Sequence, residues 1–281
     1  MARVDGNSTL FHRRRQQMMQ TPFTLKLGKL PAVIDERTLR FENYLTPIIP
    51  SPPLAYNILQ EMNVPVTDPS KLFPMDGNGP DPTLEPPRDT AGYGDCTIAG
   101  LGHAVTVYNA LVSNLIIPSS DDVVDLYLKL TKGEDSGLNE LSVLKYWQQN
   151  GAFGEKPLAF VSVDSTNHTH VKQSIVLFGG CYLGIEVQDN FFSQFDANPR
   201  QPWDGSGSEN VGGHAIFAVG YDAQYVTVLT WGSTQLITWN AWDVLVDEAY
   251  AVLPSVAVKP GFSSLGLDLA QLQADLAVVK N

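Results

Sequence analysis

The stretch Gly94-Asp95-Cys96-Thr97-Ile98-Ala99-Gly100 sets one of two cysteines at the mouth of an apolar run that continues through Leu101, Val105, Tyr108, Leu111 and Val112. The residues before it, 89–93 with Gly92 among them, read as a loop. A loop, a cysteine and then a nearly continuous apolar helix to about Asn114 place a thiol at a helix N-terminus. Unpaired backbone amides and the positive end of the dipole favour the thiolate there, and the thiolate is the nucleophilic form. Such a thiol needs a histidine, and His214 stands out, in Gly212-Gly213-His214-Ala215-Ile216-Phe217-Ala218-Val219-Gly220-Tyr221-Asp222.

Working outward, Ser119-Ser120-Asp121-Asp122 reads as the cap of a second helix over 123–130, and 138–149 as a third, closed by Asn150-Gly151. The texture then changes. Residues 158–163 read as a strand, 168–177 as a helix ended by Gly179-Gly180, and 181–187 as a strand. A long loop is expected over 188–213, followed by apolar runs at 214–221, 225–230, 235–238 and 248–253, with 239–248 able to hold a helical turn. Residues 267–279 form an amphipathic helix that either packs on the body or mediates assembly. Before the cysteine the chain is extended: 13 of 19 prolines precede residue 88, and one short helix is expected near 54–62. The division is thus a basic, proline-rich arm over 1–87, a domain over 88–255 with a helical part (88–155) and a β part (156–255), and a tail over 256–281 carrying a helix.

The 281 residues are 43% hydrophobic and 17% charged, fewer charges than the usual quarter, which implies a large buried core. The net charge of −12 argues against nucleic acid. Residues 1–40 nevertheless carry +5, leaving −17 for the rest, so a basic arm can dock on its own acidic body, a neighbouring copy or another acidic surface. No apolar run reaches the ~18 residues of a membrane span, and residues 1–20 lack the apolar core of a signal peptide. Two cysteines, Cys96 and Cys181, make no disulfide framework, so a cytoplasmic location or one within an assembly such as a virion is expected. No His/Cys cluster has metal spacing, and no cofactor or metal is expected.

A helical half bearing Cys96 followed by a β half bearing His214 resembles the papain-like thiol hydrolases. The resemblance covers roughly 85–255: the helix and strand over 163–187, the histidine strand 214–222, the segment Val228-Leu229-Thr230-Trp231-Gly232 where the family places Asn-Ser-Trp-Gly, and the closing strand 250–253. The Lys-Leu-Gly-Lys-Leu-Pro segment at 26–31 is similar to the opening of an uncharacterised bacterial and phage papain-like group. The resemblance implies an α+β papain-like fold, a helical lobe followed by an antiparallel β lobe, with an extended N-terminal arm and a C-terminal helix. It implies Cys96 as nucleophile and His214 as base. It also puts Thr230 where the family has the asparagine that orients the imidazole, and Thr90 where it has the glutamine that donates to the oxyanion. Thr97 replaces the aromatic residue after the cysteine, and Asp95 adds a negative charge that opposes thiolate formation. Trp231 is retained and can shield the pair.

Two functions follow. One is a cysteine hydrolase of peptide or related amide bonds acting on a peptide or protein substrate. The other is a non-catalytic coat, decoration or scaffold component that reuses the fold and assembles through its N-terminal arm and C-terminal helix. The altered Thr90, Thr97 and Thr230 favour the second, and the retained cysteine, histidine and glycines favour the first. Cys181 lies in an apolar strand and reads as core. His103 stands two turns, ~10 Å, along the helix from Cys96 and reads as structural.

Overall fold

The apolar run after Cys96 forms α1 (Cys96–Leu111), in which every residue from Cys96 to Ala110 is buried. The computed structural model describes residues 25–49, 51–62, 69–73, 92–255 and 266–279. The arm segment 1–24 and Thr90 lie outside the described residues. A helix apolar on all sides must be covered on all sides. Accordingly α2 (Ser120–Leu130) and α3 (Glu140–Asn150) pack on α1 from one direction and the β-sheet from the other.

That sheet has seven strands: β1 (Tyr56–Asn57), β2 (Ala159–Ser162), β3 (Cys181–Gln188), β4 (Asn210–Tyr221), β5 (Tyr225–Thr230), β6 (Ser233–Thr238) and β7 (Val246–Leu253). Its order is β2-β7-β3-β4-β5-β6, with β1 beside the end of β4, and every pairing is antiparallel. Side chains alternate across it, as a period of two requires. Ala215, Phe217 and Val219 face α1–α3, whereas Ile216 and Ala218 face a second core with α4 (His168–Phe178) and α6 (Trp239–Leu245). Both faces are buried, which is why these strands read as apolar runs.

The structure departs from the sequence expectation in two places. The loop expected over 188–213 contains α5 (Phe191–Asp196), and β4 begins at Asn210. The helix expected near 54–62 is instead β1 and a 3₁₀ turn, Ile58–Gln60, because the Asn57 side chain accepts from Leu59 N–H and Tyr56 and Asn57 pair with β4. The helical turn offered for 239–248 is α6, capped by the Thr238 hydroxyl, and β7 follows from Val246. The last helix, α7 (Leu269–Val279), packs on the body: Leu272 is buried, and the Tyr44 hydroxyl donates to Asp275 at 2.9 Å.

Candidate active site

Cys96 is the first residue of α1 and His214 lies in β4; both are fully buried. Gly100, one turn after Cys96, lacks the Cβ that would collide with the Tyr182 ring at 2.9 Å, so α1 seats directly over β3 beside Ala215. The Tyr182 hydroxyl fixes the first turn by donating to the Thr97 carbonyl at 2.7 Å. Cys96 belongs to the core on the helical side of the sheet.

The imidazole of His214 is held from two directions. Its Nε2 lies 2.7 Å from Thr230 Oγ1, and Trp231 stacks on the ring with centroids 4.7 Å apart. Trp231 and Gly232 form the two-residue turn between β5 and β6, with φ of 44° and 66°. Both values are left-handed, as a primed hairpin turn requires, and such a φ is costly for tryptophan. The indole is kept there by stacking on His214 and by Phe192, Phe195 and Trp203 around it. Burial, with His103 as the second cause, holds the His214 pKa down at about 3. The imidazole is therefore neutral in this state. Cys181 is buried as well, and burial pushes its thiol up to about 12, so it is inert.

A segment of the N-terminal arm lies beside both Cys96 and His214. Residues 25–31 run as a strap through the seam between α1–α3 and the sheet. The Lys29 amide donates to the Gly213 carbonyl at 3.2 Å, next to His214. On the opposite wall Leu138 N–H donates to Gly28 O at 3.0 Å, and Leu30 N–H donates to Leu138 O at 2.9 Å. Gly28 stands against Gly94, two residues before Cys96: a Cβ on Gly28 would fall 1.8 Å from the Gly94 carbonyl oxygen. Consecutive strap residues thus touch the approaches to both Cys96 and His214.

Two lysines lock the strap. Lys26 pairs with Asp135, which also accepts from Gly94 N–H at 3.0 Å and from the Tyr127 hydroxyl at 2.7 Å. Burial would raise the Asp135 pKa, but the Lys26 contact and the other donors hold it below the usual range. The Lys29 ammonium is fully buried, 2.7 Å from Asp247 and 3.2 Å from Glu248. Burial would lower its pKa, and the Asp247 hydrogen bond together with Glu140 and Glu248 raises it instead. Sequence reading missed Lys26, Lys29, Asp135, Glu140, Asp247 and Glu248. The +5 stretch on a −17 body was the signal that could have found them.

Among the described residues, no group of three or more His, Cys, Asp or Glu side chains could hold a metal ion. None of the described helices is long and apolar enough to cross a membrane. No family model and no curated protein matches the sequence. Among solved structures, the chain is similar to xylellain, a cysteine protease from Xylella fastidiosa, with a TM-score of 0.58 and 14% identity over 82% of this chain and 96% of that one. It is likewise similar to proCathepsin B S9 from Trypanosoma congolense, with a TM-score of 0.52 and 12% identity over 88% and 98% of the two chains. The fold is papain-like.

Proposed function

We propose that the protein is a thiol hydrolase of peptide or related amide bonds, with Cys96 as nucleophile, His214 as general base and acid, and Thr230 positioning the imidazole. The observation that carries this reading is the His214–Thr230 hydrogen bond beneath the Trp231 ring, in a papain-like fold whose central helix opens on Cys96. His214 takes the thiol proton as Sγ bonds to the acyl carbon, and returns it to the amine as the C–N bond breaks. Water then attacks the thioester, giving a proton to His214, and the thiol is regenerated. With Nε2–H donating to Thr230 Oγ1, the other ring nitrogen is the one that accepts that proton. The neutral imidazole of the closed state is the base form required for the first step.

The test is cleavage of a peptide library followed by mass spectrometry, in wild type and in Gly28→Val, with Cys96→Ala as control. Cleavage that disappears with Cys96→Ala is the expected result. No cleavage in either form, together with Cys96 alkylation that ignores His214→Ala, would overturn the reading and leave the non-catalytic assembly role.

A further inference from the structure

The pocket around Lys29 is built for an ammonium group and has no use in acyl transfer. Its floor is Gly184 of β3, where a Cβ would fall 1.9 Å from Lys29 Cε. Its wall is the Asp247-Glu248 pair of β7, 2.7 and 3.2 Å from Lys29 Nζ. A register shift between β3 and β7 passes from Gly184–Glu248 to Ile185–Val246, skipping Asp247 and leaving that carboxylate free to reach Lys29 Nζ. An ammonium held between Asp247 and the buried Glu248 makes a site whose empty form is unfavourable, because a buried carboxylate needs a cation or a proton.

Apart from its two lysines, the strap that delivers Lys29 is attached lightly. It pairs through single bridges to Leu138 and Gly213 and enters no ladder. The chain beyond it turns outward: Val33 is 52% and Ile34 91% exposed. Its path is cut to a sequence, since Gly28 tolerates no side chain against Gly94 and Lys29 fills the acidic pocket. The groove therefore reads two adjacent residues, glycine then lysine, in an extended chain.

We infer that this groove is a binding site for an extended peptide containing Gly-Lys, with Asp247 and Glu248 selecting the lysine, and that residues 25–31 fill it in cis. The site deepens the hydrolase reading by naming the class of substrate it admits, yet peptide binding needs no catalysis and is tested without it. In the full chain carrying Cys96→Ala, a site-specific protease sequence is inserted between Val33 and Ile34. The chain is cut while folded, and a fluorescent Leu-Lys-Leu-Gly-Lys-Leu-Pro peptide is added and followed by anisotropy.

The uncut protein is expected to bind no peptide, and the cut protein to exchange its strap for the labelled one. Peptides with methionine for the pocket lysine, or valine for the glycine, are expected to bind at least about tenfold more weakly, as the loss of one buried ion pair or a backbone clash implies. Methionine and lysine peptides binding alike would overturn the inference. So would a cut protein that stays folded, by circular dichroism, yet takes up no peptide, or one that unfolds when its strap leaves. Binding without any amide cleavage by the Cys96 form would remove the hydrolase reading alone. His214-dependent alkylation without peptide binding would remove this inference alone.

Discussion

A tryptophan at φ 44° is an expensive way to make a hairpin turn, and the expense is local to His214. Asparagine suits that backbone far better, so Trp231→Asn relieves the turn while stripping the imidazole of its stacking partner. The expected outcome is a His214 pKa that climbs from about 3 toward its ordinary value, followed by imidazole NMR across a pH series. A His214 that stays neutral at pH 4 in the variant would show that the rest of the core, rather than Trp231, keeps water away. Thr230 poses a different question, because a hydroxyl can donate to Nε2 as well as accept from it, whereas an asparagine carbonyl only accepts. Thr230→Val removes the hydroxyl beside Nε2 and is expected to cost up to about 10²-fold in kcat through misplacement of the ring. Thr230→Asn, whose carbonyl oxygen can accept from Nε2–H, is expected to keep or raise kcat. Equal activity in all three forms would remove Thr230 from the mechanism.

At the scale of elements, most of what formed was legible because local chemistry decided it. Ser119 caps α2 in a closed box: its hydroxyl accepts from Asp122 N–H at 3.1 Å, and the Asp122 carboxylate accepts from Ser119 N–H at 3.0 Å. Ser119→Ala is expected to lower the stability by about 1 kcal/mol, read by urea denaturation, with no change in Cys96 reactivity. A loss of reactivity would mean that α2 transmits its end to the site through Tyr127 and Asp135. The buried helix after Cys96 and the histidine strand were equally plain, since continuous apolar runs and glycine punctuation mark elements covered on both sides. What remained hidden depends on partners far away in the chain. Nothing local marks Lys29 as different from Lys26, because its burial is conferred by Asp247 and Glu248 more than two hundred residues later. The same holds for α5, whose Phe191 and Phe195 are buried beside Trp203 and Trp231 across a segment rich in glycine, asparagine and serine. Charge asymmetry announced that a basic segment could dock on an acidic body, but not where.

Over the whole molecule, closure of the strap and titration of His214 are linked. Gly28→Val cannot place its side chain against Gly94, so the strap leaves the seam in that variant and both approaches to the site open. Cys96 alkylation by iodoacetamide is then expected to rise at least about tenfold over wild type. A rate unchanged in a variant whose residues 25–31 have become accessible to protease would mean that other parts of the core enclose the thiol. The pH dependence follows from the same step. In the closed form His214 has a pKa of about 3, whereas a hydrated imidazole titrates near ~6.5. Between those values the open form binds the extra proton, so closure contributed by this residue is fullest above ~6.5 and weakens as the pH falls. The carboxyl pKa values of Glu140 and Glu248 are raised by burial and lowered by Lys29, so withdrawal of the strap removes the cation that opposes their protonation. Asp135, held low once Lys26 is added to its donors, resists opening until the pH falls below its ordinary range. The imidazole is isolated by comparing wild type with His214→Gln, using the rate of proteolytic cutting after residue 31 from pH 7 to pH 4.5. Wild type is expected to open increasingly relative to the variant as the solution is acidified. Parallel profiles would show that His214 is enclosed by Trp231 and the sheet whether the strap is seated or not, and would separate the strap from control of the imidazole.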